Sequence, residues 1–447
     1  MSALAALQHG HVREATMLSQ KFLYDRSPRR THVRSTYRLK RAILHRLALV
    51  AGICCAVQFL RLHVLARHSL EAKYTTTTFG ENAGVLRQYH SVSDEGAAVN
   101  RSALIAAKPS WRPLGSGCEG STFAWNRHVI KTFKPKHSPF RNCIPRELEG
   151  RSQSDESQQC SSETRWPTEI PASLITGTTQ GFLPVSDVFF ASSSPEQGPQ
   201  WHLVTPLMEG GTLQTLAKAV SRRNSDLEPS LHALDVRFRP RLNELLIALQ
   251  VLHSKGLCHD DLKPDNVFVA EPGTEQDGPW LIGDLGNVRE ISHPYHSSKV
   301  WTHSNQQLPD CRANDALRAT KTYLMFLRHA FSSSSNSESE FDTALLEGRE
   351  PWARLLRRAH SVGNALRVGS LLQWSAADEH PSSSPSTVSS LSSVTMTRWE
   401  LWVLRPVLGW RVVYKRASMS AMKISASDGW ARVLGLTWIL GVPVGRC

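Results

Sequence analysis

The sequence predicts an α+β fold in two lobes, a small one built mostly of strands and a larger one built mostly of helices. Three observations predict it. A glycine-rich turn, Leu114-Gly115-Ser116-Gly117-Cys118-Glu119-Gly120, leads into two strand-like runs, Ser121 to Trp125 and Val129 to Phe133. Further on, Leu242, Leu245, Leu246, Leu249 and Leu252 recur at helix spacing. Past that helix lie two polar stretches beside short apolar runs, His259-Asp260-Asp261-Leu262-Lys263-Pro264-Asp265-Asn266 and Ile282-Gly283-Asp284-Leu285-Gly286.

At 447 residues the chain is long enough for one catalytic domain plus extensions. Its net charge of +13 is unevenly placed. Residues 1–70 hold 12 Lys/Arg against Glu14 and Asp25, and residues 397–447 hold 8 against Glu400 and Asp428. The ends therefore carry +10 and +6 and the middle −3, a near-neutral domain between two basic flanks. Peripheral membrane contact through those ends is one expectation, solubilising flanks the other. No aromatic-basic strand pattern or zinc spacing supports specific nucleic-acid binding. The eight cysteines show no paired metal spacing, which predicts free thiols in a reducing compartment.

Five segments follow: a basic extension with one apolar run at 1–70, a linker at 71–107, the catalytic domain at 108–376, a Ser/Pro-rich linker at 377–397, and a basic, Trp-rich tail at 398–447. The apolar run, Leu47 to Leu60 between Arg46 and Arg61, is short for a span of about 20 residues and reads as a buried or interfacial helix. A cytoplasmic location is expected, with membrane association or mitochondrial targeting through residues 1–70 as alternatives.

A lone glycine-rich turn is weak evidence of nucleotide binding, and a dinucleotide fold would want a helix directly after it. Here a hairpin follows, turning at Asn126-Arg127-His128 and bringing Lys131 back on the return strand. Glycines let the backbone approach phosphate oxygens closely, and Lys131 can reach the same phosphates. Glu147 and Glu169 are the two candidate partners for Lys131. Glu169 is preferred because the short helix and strands after it come in the right order, although Pro171 is expected to end or distort that helix. Residues 150–165 read as an inserted polar loop. Trp201 to Thr205 reads as a strand, and the connector from Pro206 through Met208 to Gly211 offers backbone donors and acceptors to an adenine ring.

In the helical half, Asp261 is placed to accept a proton from a hydroxyl, Lys263 to neutralise a transferring phosphoryl group, Asn266 to hold a metal ion, and Asp284 to bridge that ion to phosphates. Phosphoryl transfer relies on positioning and charge stabilisation, and this set supplies both.

The ordered set resembles the eukaryotic protein kinase family, from about Trp111 to the helix with Leu317 and Tyr323. The resemblance implies a two-lobed protein kinase-like fold with a possibly shortened helical lobe, ATP and Mg²⁺ as cofactors, and transfer to a hydroxyl. It assigns Gly115, Gly117 and Gly120 to the phosphate loop, Lys131 and Glu169 to the phosphate-pairing lysine and its glutamate, and Thr205 to the gatekeeper before the hinge at Met208. Asp261, Lys263 and Asn266 match its catalytic loop, where the lysine favours the serine/threonine type. Asp284 matches its metal-binding aspartate, with Leu285 in the middle of the triplet. Two departures stand out. Asp260 replaces the arginine that usually answers a phosphorylated activation segment. No Ala-Pro-Glu lies between Asp284 and Asp315, the residue matching the family's next buried aspartate, and Leu308-Pro309-Asp310 is at best a degenerate remnant. A protein substrate is favoured over a small molecule, with a small-molecule kinase and a weak pseudokinase scaffold as alternatives.

Past the core, Asp315 to Ala330 reads as a helix, Ser332 to Glu340 as a polar loop, and Phe341 to Leu346 and Trp352 to Leu366 as two more helices. The tail reads as an interfacial or partner-binding segment, or as a poorly packed end.

Overall fold

In a computed structural model of the chain, the described residues are 29–75, 99–117, 120–133, 167–192, 198–223, 230–270, 278–332, 335–348, 350–361, 371–373, 410–424 and 429–435, with a few single positions between 77 and 86 and Gly369. The chain divides into two units, Met1–Arg61 and Leu62–Cys447.

The described part of the first unit is the leading portion of one long helix, α1 (Arg29–Tyr74). Of the two readings of the apolar run, a buried or an interfacial helix, burial is not found: Leu44 is 66% and Leu49 65% accessible, with Ile43, Leu47, Val50, Ile53 and Val57 also exposed. From Lys40 to Lys73 this helix is long and apolar enough to cross a membrane.

In the second unit the last turns of α1 are packed. Ala66 and Leu70 lie against Tyr295, Val300, Trp301 and Ala431. Parts of the stretch expected to be linker are packed too: Phe79, Val99 and Leu104 are buried. A short helix, α2 (Arg101–Ala106), starts where the Asn100 side chain accepts a hydrogen bond from the Ala103 amide at 3.0 Å, satisfying an otherwise orphaned donor.

The first lobe is a five-stranded antiparallel sheet of order β1-β2-β3-β5-β4. Its strands are β1 (Arg112–Ser116), β2 (Gly120–Trp125), β3 (His128–Phe133), β4 (Asp187–Ala191) and β5 (Gln200–Pro206). Ile130, Phe189 and Val204 alternate onto one face with Leu104 and Trp111. Phe133, Val188 and Leu203 meet Ile170 and Leu174 on the other. Those two residues come from α3 (Glu169–Thr176), which is inserted between β3 and β4. Pro171 does not end this helix. It sits in the first turn, where amides have no intrahelical partner to lose.

The second lobe opens with α4 (Leu213–Arg223) and α5 (Leu231–Ser254). The leucine-rich helix thus starts earlier than its spacing suggested, capped by Ser230, and runs through Pro240. The short strands β6 (Leu257–Cys258), β7 (Val267–Val269), β8 (Trp280–Ile282) and β9 (Arg289–Glu290) pair as β6–β9 and β7–β8. Next comes α6 (Cys311–Phe331). Leu308-Pro309-Asp310 forms the entry to this helix, where the Asp310 side chain accepts from the Arg312 amide and caps it. Then follow α7 (Ser335–Glu347), which begins inside the stretch expected to be a polar loop, and α8 (Pro351–Ser361). Phe238, Trp280 and Phe326 form an aromatic centre, with Phe238 and Phe326 edge to face at 4.7 Å.

From the tail, α9 (Trp410–Ala421) buries Val413, Ala417 and Ala421, and Lys415 pairs with Glu338 at 3.0 Å. The last described helix is α10 (Gly429–Leu434). One cysteine expectation is corrected. Cys258 and Cys311 form a disulfide, since β6 and the start of α6 bring their Cα atoms to 6.0 Å. Cys54 and Cys55 are free and exposed.

Candidate active site

The β2–β3 register places Lys131 opposite Thr122, and β3–β5 pairing places it opposite Leu203. From this mid-strand position its Nζ lies 2.5 Å from Glu169 of α3 and 3.0 Å from Asp284 after β8. Glu169 is therefore the carboxylate found at Lys131, while Glu147 lies outside the described residues. Three elements distant in sequence converge on one ammonium group.

The three glycines differ in what holds them. A Cβ on Gly120 would stand 1.7 Å from the Thr132 carbonyl oxygen, so the hairpin itself demands glycine there. At Gly115 and Gly117 a Cβ would meet nothing within 4 Å. Packing does not require glycine at those two positions, whereas close approach of a bound group would. The Gly117 amide donates to the Gly120 carbonyl at 2.9 Å, closing the turn.

Thr205 is buried on β5 opposite Val129. The connector after it is held at both ends. Leu207 N–H donates to the Arg127 carbonyl, Gly211 N–H to Met208, and Val269 N–H to Gly211. Gly210 packs so closely on β7 that a Cβ would meet the Val269 carbonyl at 2.6 Å.

Opposite the sheet, Asp261 gathers donors. Lys263 Nζ is 2.8 Å from its Oδ2. Asn266 Nδ2 donates to its backbone oxygen at 2.9 Å, and Asn287 Nδ2 to Oδ2 at 3.3 Å. Arg318 Nη1 of α6 is 3.9 Å from Oδ1. Asn287 and Arg318 went unnoticed in the sequence, because neither lies in a local motif and only the folding of α6 under the loop brings Arg318 near. Burial pulls the Lys263 ammonium down, but Asp261, with Asp284 and Asp265 beyond it, holds it above its ordinary value. Burial pushes the Asp284 carboxyl up, and Lys131 with Lys263 outweighs this and holds it below the usual range. Asp284 has φ 54°, a left-handed conformation that aspartate tolerates better than most side chains.

The loop is suspended from a single buried side chain. Asp315 of α6 accepts from the His259 amide at 2.7 Å, the Asp260 amide at 2.9 Å and the His253 ring at 3.0 Å. Asp260 turns away from the site. Its Oδ2 meets Arg289 Nη1 at 3.0 Å and His296 Nε2 at 2.8 Å, all three side chains being buried. Asp260 stands out in the sequence as a departure, but these partners, which come from the segment after Asp284, do not.

An all-oxygen donor set suits Mg²⁺ better than a softer metal. Asp284 offers a carboxylate, and Asn266, with its amide nitrogen committed to Asp261, offers its carbonyl oxygen. The donor chemistry of these two residues fits the ion.

Residues 187–322 match the family model described as protein kinase domain. Among curated proteins, the chain is 27% identical over 179 residues to the serine/threonine-protein kinase PknA of a Nostoc species, covering 40% of this chain and 27% of that protein. It is 31% identical over 127 residues to 3-phosphoinositide-dependent protein kinase 1 of Caenorhabditis elegans, covering 28% of this chain and 16% of that one. A third relative, the probable serine/threonine protein kinase IREH1 of Arabidopsis thaliana, is 33% identical over 72 residues, covering 16% of this chain and 5% of that protein. The match thus spans about a quarter of the first relative and less of the others. Sheet, inserted helix and helical lobe together form the two-lobed architecture of that superfamily. The chain carries a divergent eukaryotic protein kinase-like domain.

Proposed function

We propose that the protein is an ATP-dependent phosphotransferase acting on a hydroxyl, and that it is a serine/threonine protein kinase. The observation that carries this reading is Lys131 held between Glu169 and Asp284, across from the Asp261–Lys263 pair. Lys131 would bind the nucleotide phosphates, with Glu169 fixing its position. Asn266 and Asp284 would hold Mg²⁺, which when bound supplies charge neutralisation at the phosphates. Asp261 would orient the acceptor hydroxyl and take its proton, and Lys263 would offset negative charge on the transferring group. The backbone from Pro206 to Met208 would meet the adenine edge, behind which Thr205 limits depth.

A second reading is phosphorylation of a small molecule. It is favoured by the covering of the segment after Asp284, where Tyr295, Val300 and Trp301 pack under Ala66, Leu70 and Ala431. Lys263 favours the protein-directed reading, by the resemblance already given.

Nucleotide binding is tested by titrating the full chain with ATP, with and without Mg²⁺, alongside Lys131→Met. Mg²⁺-strengthened binding that Lys131→Met weakens supports the reading. Equal binding by both proteins removes Lys131 from the site.

A further inference from the structure

The first unit presents a surface that water solvates poorly and that no described residue covers. Ile43, Leu44, Leu47, Leu49, Val50, Ile53, Val57, Phe59 and Leu60 are all exposed on α1. At about 100° per residue they fall on every side of the helix, not on one stripe. A helix that docks on a partner, or lies on a membrane surface, needs one apolar face and one polar face. A helix that is apolar all round fits hydrocarbon. An eighteen-residue stretch of α1 has the length and apolar composition of a membrane span and is unburied. At 1.5 Å per residue it is about 27 Å long, close to the ~30 Å hydrocarbon core. Arg46 and Arg61 sit near its two ends, where long side chains reach back to head groups. The chain has no Asp or Glu between Asp25 and Glu71.

The flanks are unequal. Before the apolar run stand Arg29, Arg30, Arg34, Arg38, Lys40, Arg41 and Arg46, and after it Arg61, Arg67 and Lys73. Such bias keeps the more basic flank on the cytoplasmic side. That orientation puts Leu62 onward on the opposite side, and the buried Cys258–Cys311 disulfide is what a chain exposed to an oxidising compartment acquires. Charge bias and disulfide are independent observations pointing to the same side.

We propose that the helix around residues 43–60 crosses a lipid bilayer, with the arginine-rich flank cytoplasmic and the kinase-like domain on the oxidising face. This does not rest on phosphotransfer activity, and it takes up the membrane association through residues 1–70 that stood beside the cytoplasmic expectation.

The test is translation of the full chain with microsomes, followed by alkaline carbonate extraction and protease digestion. The wild type is expected to stay in the membrane pellet through salt and carbonate. A fragment from about residue 62 onward should resist protease until detergent is added. Leu49→Lys with Ile53→Lys, both on exposed positions, should move the chain to the supernatant. Release of the wild type by carbonate or by salt overturns the span, as does its recovery without lipid as a soluble oligomer joined through α1. Digestion of the domain without detergent overturns the orientation.

Discussion

Arg289 and Asp260 form a buried ion pair, 3.0 Å from Nη1 to Oδ2, at the position where the resembling family usually carries an arginine. The charge is reversed, and so is its answer: a guanidinium and the His296 ring meet a carboxylate inside the chain. The segment after Asp284 is thereby tied to the loop before Asp261 by contacts within the chain.

Breaking this pair on one side leaves a buried charge. Arg289→Met or Asp260→Ala should each cost about 3–5 kcal/mol of unfolding free energy by denaturant titration, and the double variant less than the sum. Asp260→Arg, which restores the family's usual residue, should be among the worst, since it sets two guanidinium groups beside His296. Asp260 raises the affinity of His296 for its proton against the opposing effect of burial. Because its folded value lies above the ordinary 6.5, its contribution is full below that pH and is lost as pH rises through the folded value. His296→Gln should remove this alkaline-side loss.

The acid side has its own signature. His202 is 0% exposed, stacks on Phe189 at 4.7 Å and leaves Nε2 without a partner. Burial pulls its pKa down to about 4. The folded value lies below the unfolded one, so stability present above pH 6.5 falls as pH drops toward 4. The loss is on the order of 3 kcal/mol. Burial and Arg289 pull His293 to about 4 in the same sense. Thermal melts from pH 7 to pH 4 should show a smaller decline in His202→Phe than in wild type.

Two glycines of the turn should separate folding from binding. Gly120→Ala must displace the Thr132 carbonyl and should cost about 3 kcal/mol or more in a melt. Gly117→Ala has open space, so it should melt like wild type yet bind Mg²⁺-ATP more weakly in calorimetry.

The Cys258–Cys311 bridge closes a loop of 53 residues between β6 and α6, next to the loop that Asp315 suspends. Reduction or Cys311→Ala should lower unfolding free energy by about 4 kcal/mol on chain-entropy grounds. Non-reducing peptide mapping should recover the two cysteines linked.

Legibility in the sequence followed locality. Asp261, Lys263 and Asn266 lie within one short loop, and Asp284 ends a short apolar strand, so pattern alone singled them out. Lys131 and Glu169 needed a choice between two acids, which order along the chain favoured and the β3–α3 geometry shows. Periodicity found the leucine helix from Leu242 onward but not its start at Leu231. The partners of Asp260, the pairing of Cys258 with Cys311, and Arg318 beside Asp261 join residues far apart in the chain. No short pattern carries such contacts. The exposure of Leu44 and Leu49 was likewise hidden, since an apolar run reads the same whether protein or lipid covers it.

Transfer of phosphate from ATP is measured most directly by comparing the full chain with Asp261→Asn and Asp284→Asn on protein, sugar and amine acceptors with Mg²⁺. The wild type is expected to transfer phosphate to a hydroxyl, Asp261→Asn to keep ATP binding but transfer about 10²–10⁴-fold more slowly, and Asp284→Asn to lose Mg²⁺-dependent binding strength. Tight ATP binding by the wild type with no transfer to any acceptor, and no difference among the three proteins, would contradict it.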